Sequence, residues 1–258
     1  MRFADKKRFS HLHKTIILDI FALLTDRIMK RILILFALTA LFASCKKQNP
    51  QPTPFQEKDL AGVWVCTRIT EIYNGQSEDT YNPAASFAVD PVEKEIEFIY
   101  GNNSTVYSWS FANNQVTLTH KESAPLVCKL SVLDGKHLVM STETDYQGLS
   151  FVYYATNLSA ILPGEWTIPW PGRQYKVNFL AKNMNAGTST WKTVEGAAAG
   201  EFNWHLYCSE EDPGRVDIFF SSDTLTWNDT LIVKEVRSDS SILVYSTDTH
   251  TEILMTKS

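Results

Sequence analysis

The sequence predicts an all-β protein made of two tandem units, and three observations carry that expectation. From about residue 56 onward, short runs alternate apolar with polar residues, the period of a strand with one buried face. No stretch after Phe55 keeps a helical period over three turns. A Gly-x-Trp opening occurs twice, at Gly62 and Trp64 and about a hundred residues later at Gly164 and Trp166, each followed by the same succession of strands and turns.

In the first unit, residues 56–160, Ile96, Phe98 and Tyr100 share one face while Glu95 and Glu97 take the other. Tyr107, Trp109 and Phe111 form the next apolar face, and Asn113-Asn114 marks a turn before Val116 and Leu118. Leu126, Cys128, Leu130 and Val132 alternate with Lys129 and Ser131. Asp134-Gly135 is a strong hairpin signal. Leu138, Met140, Phe151 and Tyr153 close the unit, and the polar residues 75–91 read as a long loop. The second unit, residues 161–258, repeats the pattern with Tyr175, Val177 and Phe179, then Phe202, Trp204, Leu206 and Cys208, then Val216, Ile218 and Phe220. Leu231 with Val233, Ile242 with Val244 and Ile253 with Met255 complete it.

Upstream of these units the chain reads as an export and anchoring segment. Met29 is followed by Lys30 and Arg31, an apolar run over residues 32–42, then Ala43, Ser44 and Cys45, the order of a signal peptide with small residues at its cleavage point. Residues 29–44 are therefore expected to be removed, and residues 1–28 to precede the true initiator, Met29. Residues 45–55 form a tether, in which Pro50, Pro52 and Pro54 favour an extended, semi-rigid chain. Residues 1–44 hold eight basic and three acidic side chains, so the remainder carries 16 basic against 26 acidic residues. A surface this acidic repels phosphate backbones and argues against a nucleic-acid partner.

Leu41-Phe42-Ala43-Ser44-Cys45 resembles the lipobox of bacterial lipoproteins, which implies acylation of Cys45 and a membrane partner through that lipid, in the cell envelope and at the outer membrane. Lys46 and Lys47 occupy the place where some Bacteroidetes lipoproteins carry acidic surface-export signals. The paired Gly-x-Trp openings with their strands resemble the lipocalin-like domains of Bacteroidetes lipoproteins. This implies two tandem antiparallel barrels, open or flattened because each unit is short, with Trp64 and Trp166 packed across the closed floors. Lipocalins often lay an Arg from the last strand over that tryptophan; neither closing strand has one, and Lys257 is the substitute at hand. Asp223-Thr224-Leu225 and Asp229-Thr230-Leu231 resemble the O-glycosylation signal of exported Bacteroidetes proteins, with Thr224 and Thr230 as acceptors on a loop.

Little in the sequence points to catalysis. His120, His137, His205 and His250 lie in no recognisable nucleophile, metalloprotease or phosphate-loop signature, so no catalytic residue, cofactor or metal is assigned. The single metal-like pattern, Asp248, His250 and Glu252, reads better as a polar turn. Cys66, Cys128 and Cys208 are expected to be free thiols. Trp170, Trp191 and Trp227, in polar or proline-rich surroundings, are expected to be partly exposed and to offer ligand contacts. Two function classes stand above the rest: a non-catalytic envelope lipoprotein binding a small apolar ligand or glycan, and a structural or assembly subunit whose barrels are filled. A hydrolytic enzyme is the weaker third. The aromatics Tyr107, Trp109, Phe111, Phe151 and Tyr153 predict a filled first barrel, and the smaller residues of the second make it the one to hold a cavity.

Overall fold

The computed structural model describes residues 55–121, 123–144, 148–170, 173–196, 198–221 and 229–258. Cys45, the export segment, Thr224 and Trp227 lie outside the described residues. The chain folds as two closed eight-stranded antiparallel barrels in tandem.

The first barrel begins with a 3-10 turn, Glu57–Leu60, followed by β1 Gly62–Tyr73, β2 Gln76–Tyr81, β3 Ala85–Asp90, β4 Glu95–Tyr100 and β5 Asn103–Ala112. It continues through β6 Gln115–Thr119, β7 Leu126–Leu133, β8 His137–Glu143 and β9 Leu149–Asn157. Residues 75–91 are thus not a loop. Asn74 and Gly75 both have positive φ and make the hairpin between β1 and β2, and β3 is a buried strand. The ring closes where the start of β1, Gly62 to Val65, pairs with β3 on one side and Trp64 to Tyr73 pair with β9 on the other. β2 is a ninth strand beyond the eight of the ring: it pairs only with the second half of β1, from Arg68 to Tyr73, and all six of its residues are exposed.

A one-turn helix, α1 Leu158–Ile161, leads directly into the second barrel. Its strands are β10 Gly164–Trp170, β11 Arg173–Ala181, β12 Ala186–Thr193, β13 Ala199–Cys208, β14 Val216–Ser221, β15 Asp229–Ser238, β16 Ser241–Ser246 and β17 Thr251–Lys257. Each strand pairs with its chain neighbour, and β17 closes on β10.

Turn chemistry fixes several of these joints. Asn113 and Asn114, both at positive φ, link β5 to β6. At Asp134-Gly135 the Asp134 carboxylate accepts the backbone N–H groups of Lys136 and His137 at 2.9 and 2.7 Å. One expected face shifts: a bulge between Leu130 and Val132 turns Val132 out to solvent and puts Leu133 in the core.

The barrels share packing. Val63 and Val65, on the outer face of β1, join Leu158, Ile161 and Leu162 in the second barrel's apolar cluster. The Val63 N–H donates to the Ser159 hydroxyl at 3.0 Å. Arg215 donates to the Asn82 carbonyl at 2.6 Å. Gly214 sits so close to the Ala84 carbonyl that a Cβ there would stand 2.1 Å from its oxygen.

Candidate functional site

The floors of the two barrels are built alike. Trp64 and Trp166 are fully buried, and each indole N–H donates at 2.7 Å to the carbonyl four residues earlier, Leu60 or Leu162. Each follows a short helical turn, and the carbonyl belongs to the last residue of the first turn and to the residue capping the second. Gly62 and Gly164 hold φ of 135 and 120°, a region that disfavours any side chain. A Cβ on Gly62 would strike the Asn157 side chain, and one on Gly164 the Lys257 stem. Trp64 and Trp166 are therefore equivalent buried residues of the two floors.

Above the floors the second barrel departs from the sequence expectation of a cavity. The second barrel is filled. Phe179, Phe202, Trp204 and Phe220 meet edge to face or tilted, with Phe202 and Phe220 only 4.7 Å apart between ring centres. Ile168, Val177, Ile218, Leu231, Val233, Ile242, Val244 and Met255 close in around them, all fully buried. Trp170 and Trp191, expected near the surface, belong to this core at 7 and 9% exposure. Trp170 continues the inward series of Trp166 and Ile168 on β10, and the Trp191 ring covers Gly200, where a Cβ would stand 2.7 Å from its indole nitrogen.

The first barrel is less completely buried. Its floor holds Trp64, Cys66, Phe87, Trp109 and Leu138 out of solvent. Phe98, Tyr107, Phe111, Leu126, Phe151 and Tyr153 pack on that core from within yet remain only partly buried. Inward-facing side chains that keep accessible surface are reached through a mouth of the barrel. Four rings form an aromatic wall: Phe87 stacks on Phe98 at 6.2 Å, Phe98 meets Tyr153 edge-on at 5.7 Å, and Tyr153 lies 6.2 Å from Phe151. Burial pushes the Tyr153 phenol well above its ordinary range, so it stays neutral. Cys66 and Cys128 lie beneath the wall as free thiols, raised by burial to about 12 and about 11. The mouth is therefore an aromatic surface, suited to apolar groups or the flat faces of sugars.

The remaining sequence candidates do not assemble into a site. Thr230 is part of β15, paired to Phe219 and half-buried, not on a loop. Among the described residues no three His, Cys, Asp or Glu side chains could hold a metal ion, and Asp248, His250 and Glu252 flank the turn between β16 and β17. Three of the four histidines have bonded rings: His120 to the Val106 carbonyl, His250 to the Tyr245 hydroxyl, and His137 to Asp134 and Asp239. Sequence reasoning missed His137–Asp239, which joins the barrels at 2.8 Å, because nothing local marks residues so far apart in the chain. Comparison with family models gives no match, and no curated protein matches the chain significantly.

Proposed function

We propose that this chain is an envelope lipoprotein, held to the membrane through Cys45, whose first barrel takes a small apolar ligand or the apolar face of a glycan. One observation carries the binding half of this reading: Phe98, Tyr107, Phe111, Phe151 and Tyr153 line the inside of the first barrel without being sealed from solvent. Aromatic surface left accessible inside a closed barrel has a free-energy incentive to be covered, at roughly 25 cal/mol per Å² of apolar area. The anchoring half rests on the run from Met29 to Cys45 and on the proline-rich residues that follow. The second barrel, filled and bonded to the first, acts as a rigid mount, and its packed interior favours a structural contribution as the secondary role.

Native mass spectrometry of the mature protein purified from its own host tests this. A co-purifying apolar molecule or glycan, removed by Phe98→Ala with Tyr153→Ala in a folded chain, is the expected result. A bare polypeptide-plus-lipid mass, together with failure to take up added lauric acid, would overturn the binding reading.

A further inference from the structure

The outer wall of the second barrel carries a depression of about 430 Å³ lined by Tyr207, Glu210, Glu211, Asp217, Phe219 and Thr230. Strand alternation explains its composition. Tyr207 on β13 and Asp217 with Phe219 on β14 point outward and lie side by side, because Tyr207 pairs with Asp217 and Phe219 with Thr230. Glu210 and Glu211 overhang from the β13–β14 connection.

Asp217 is the anomaly. It is 3% exposed, and one of its carboxyl oxygens has no hydrogen-bond partner. The Ser209 hydroxyl bonds the carboxyl, while Glu211, Asp212 and Glu210 bring only like charge. The nearby cations are engaged elsewhere: Lys234 and Arg215 both pair with Asp212. Among the described residues, no ion pair reaches Asp217, Glu210 or Glu211. An orphaned buried carboxylate oxygen is costly, and such groups ordinarily find a partner.

We infer that this depression is a second binding site, one that takes an aliphatic amine or polyamine with an ammonium group seated on Asp217 between Tyr207 and Phe219. The carboxylates are not grouped closely enough to hold a single metal ion. They suit a cation whose charges are spread along a chain, one end on Asp217 and another toward Glu210 and Glu211. Tyr207 and Phe219 meet at 6.3 Å and 64°, so both ring surfaces border the depression. Aromatic faces and edges of this kind hold the methylene stem and, where a face is presented, the ammonium itself. Tyr207, hydrogen-bonded to Thr230, is held in place while 39% exposed. This site is independent of the mouth of the first barrel.

Isothermal titration of the mature protein with spermidine and with putrescine, in about 150 mM salt to screen diffuse attraction, tests the inference. Saturable binding at one site per chain is expected. Asp217→Asn, which keeps the shape and removes the charge, should weaken it by about tenfold or more, the scale of one charge-assisted hydrogen bond. Tyr207→Ala should weaken it less, and Glu252→Gln, outside the depression, should leave it unchanged. No saturable binding of either amine, or binding that Asp217→Asn leaves intact, would overturn the inference.

Discussion

Lys257 lies directly across from Trp166 between β17 and β10, its ammonium 5.4 Å from the indole ring centre and donating to the Ile161 carbonyl at 2.8 Å. It thus covers the tryptophan of the second floor. The same register position in the first barrel, opposite Trp64, holds Asn157, whose amide donates to the Ala61 and Gly135 carbonyls at 3.0 Å each. Two different side chains thus satisfy the carbonyls that each short helical turn leaves at its barrel floor. Lys257→Met keeps the stem and removes the donor. It should destabilise the second barrel by about 1–3 kcal/mol, the cost of one buried carbonyl left unpaired, measured as a shift in the denaturant midpoint.

Trp64→Ala and Trp166→Ala should each cost roughly 3–5 kcal/mol in chemical denaturation, as expected for deleting a buried large aromatic. Trp64→Phe should recover much of the packing but not the bond to the Leu60 carbonyl. A loss below about 1 kcal/mol for either alanine variant would be that of an ordinary surface position.

Whether a residue's place can be read from the chain depends on whether that place is set locally. The alternation in Phe98, Tyr107, Phe111, Tyr175, Val177 and Phe179, and the turns at Asn113 and Asp134, are local, and their strands and hairpins follow. β2 escapes because its residues, Gln76 to Tyr81, are all exposed and therefore show no alternation. Its opening Asn74-Gly75 is nevertheless a usable hairpin signal. β12 escapes because Gly187 and Ser189 face inward as small residues. That smallness also explains why the second barrel is filled. The Trp204 ring occupies the space a Cβ on Gly187 would need, and Trp191 does the same over Gly200. Small residues on one strand make room for large rings from another. Filling is a property of neighbours in space, and it cannot be counted strand by strand.

The contact between His137 and Asp239 should make the junction of the barrels pH-sensitive. Burial lowers the affinity of His137 for a proton, but the hydrogen bonds and charges of Asp134 and Asp239 outweigh it, and the net pKa rises above the ordinary 6.5. Lys136 also reaches Asp239 at 3.4 Å, and Arg68, Glu235 and Arg237 line the surface hollow that holds His137 and Asp239. A raised pKa in the folded state means stabilisation that is complete below about pH 6.5 and is lost as pH climbs through the folded value. Thermal melts from pH 5.5 to 8.5 should show this decline, and His137→Gln should flatten it.

Asp217 should behave in the same direction for a different reason. Burial foremost, then the charges of Glu211, Asp212 and Glu210, push its carboxyl up to about 7 despite the Ser209 bond. The folded protein thus holds a proton that the unfolded chain releases near pH 4. Stability from this group is full below that and falls as pH rises through about 7. Asp217→Asn should therefore raise the melting temperature at pH 8 and change it little at pH 4. The gain at pH 8 should reach a few kcal/mol, because each tenfold difference in proton affinity between the folded and unfolded chain corresponds to about 1.4 kcal/mol.

The proposed binding role turns on the contrast between an accessible first barrel and a filled second one. Amide chemical-shift mapping with added lauric acid, on the mature protein carrying Cys45→Ser to remove the lipid, bears on that contrast residue by residue. Saturable shifts are expected in and beside the aromatic mouth, around Phe98, Tyr107, Phe111, Phe151 and Tyr153, with the amides around Phe179, Phe202 and Phe220 unmoved. Shifts centred on the second barrel, or none in either, would contradict it.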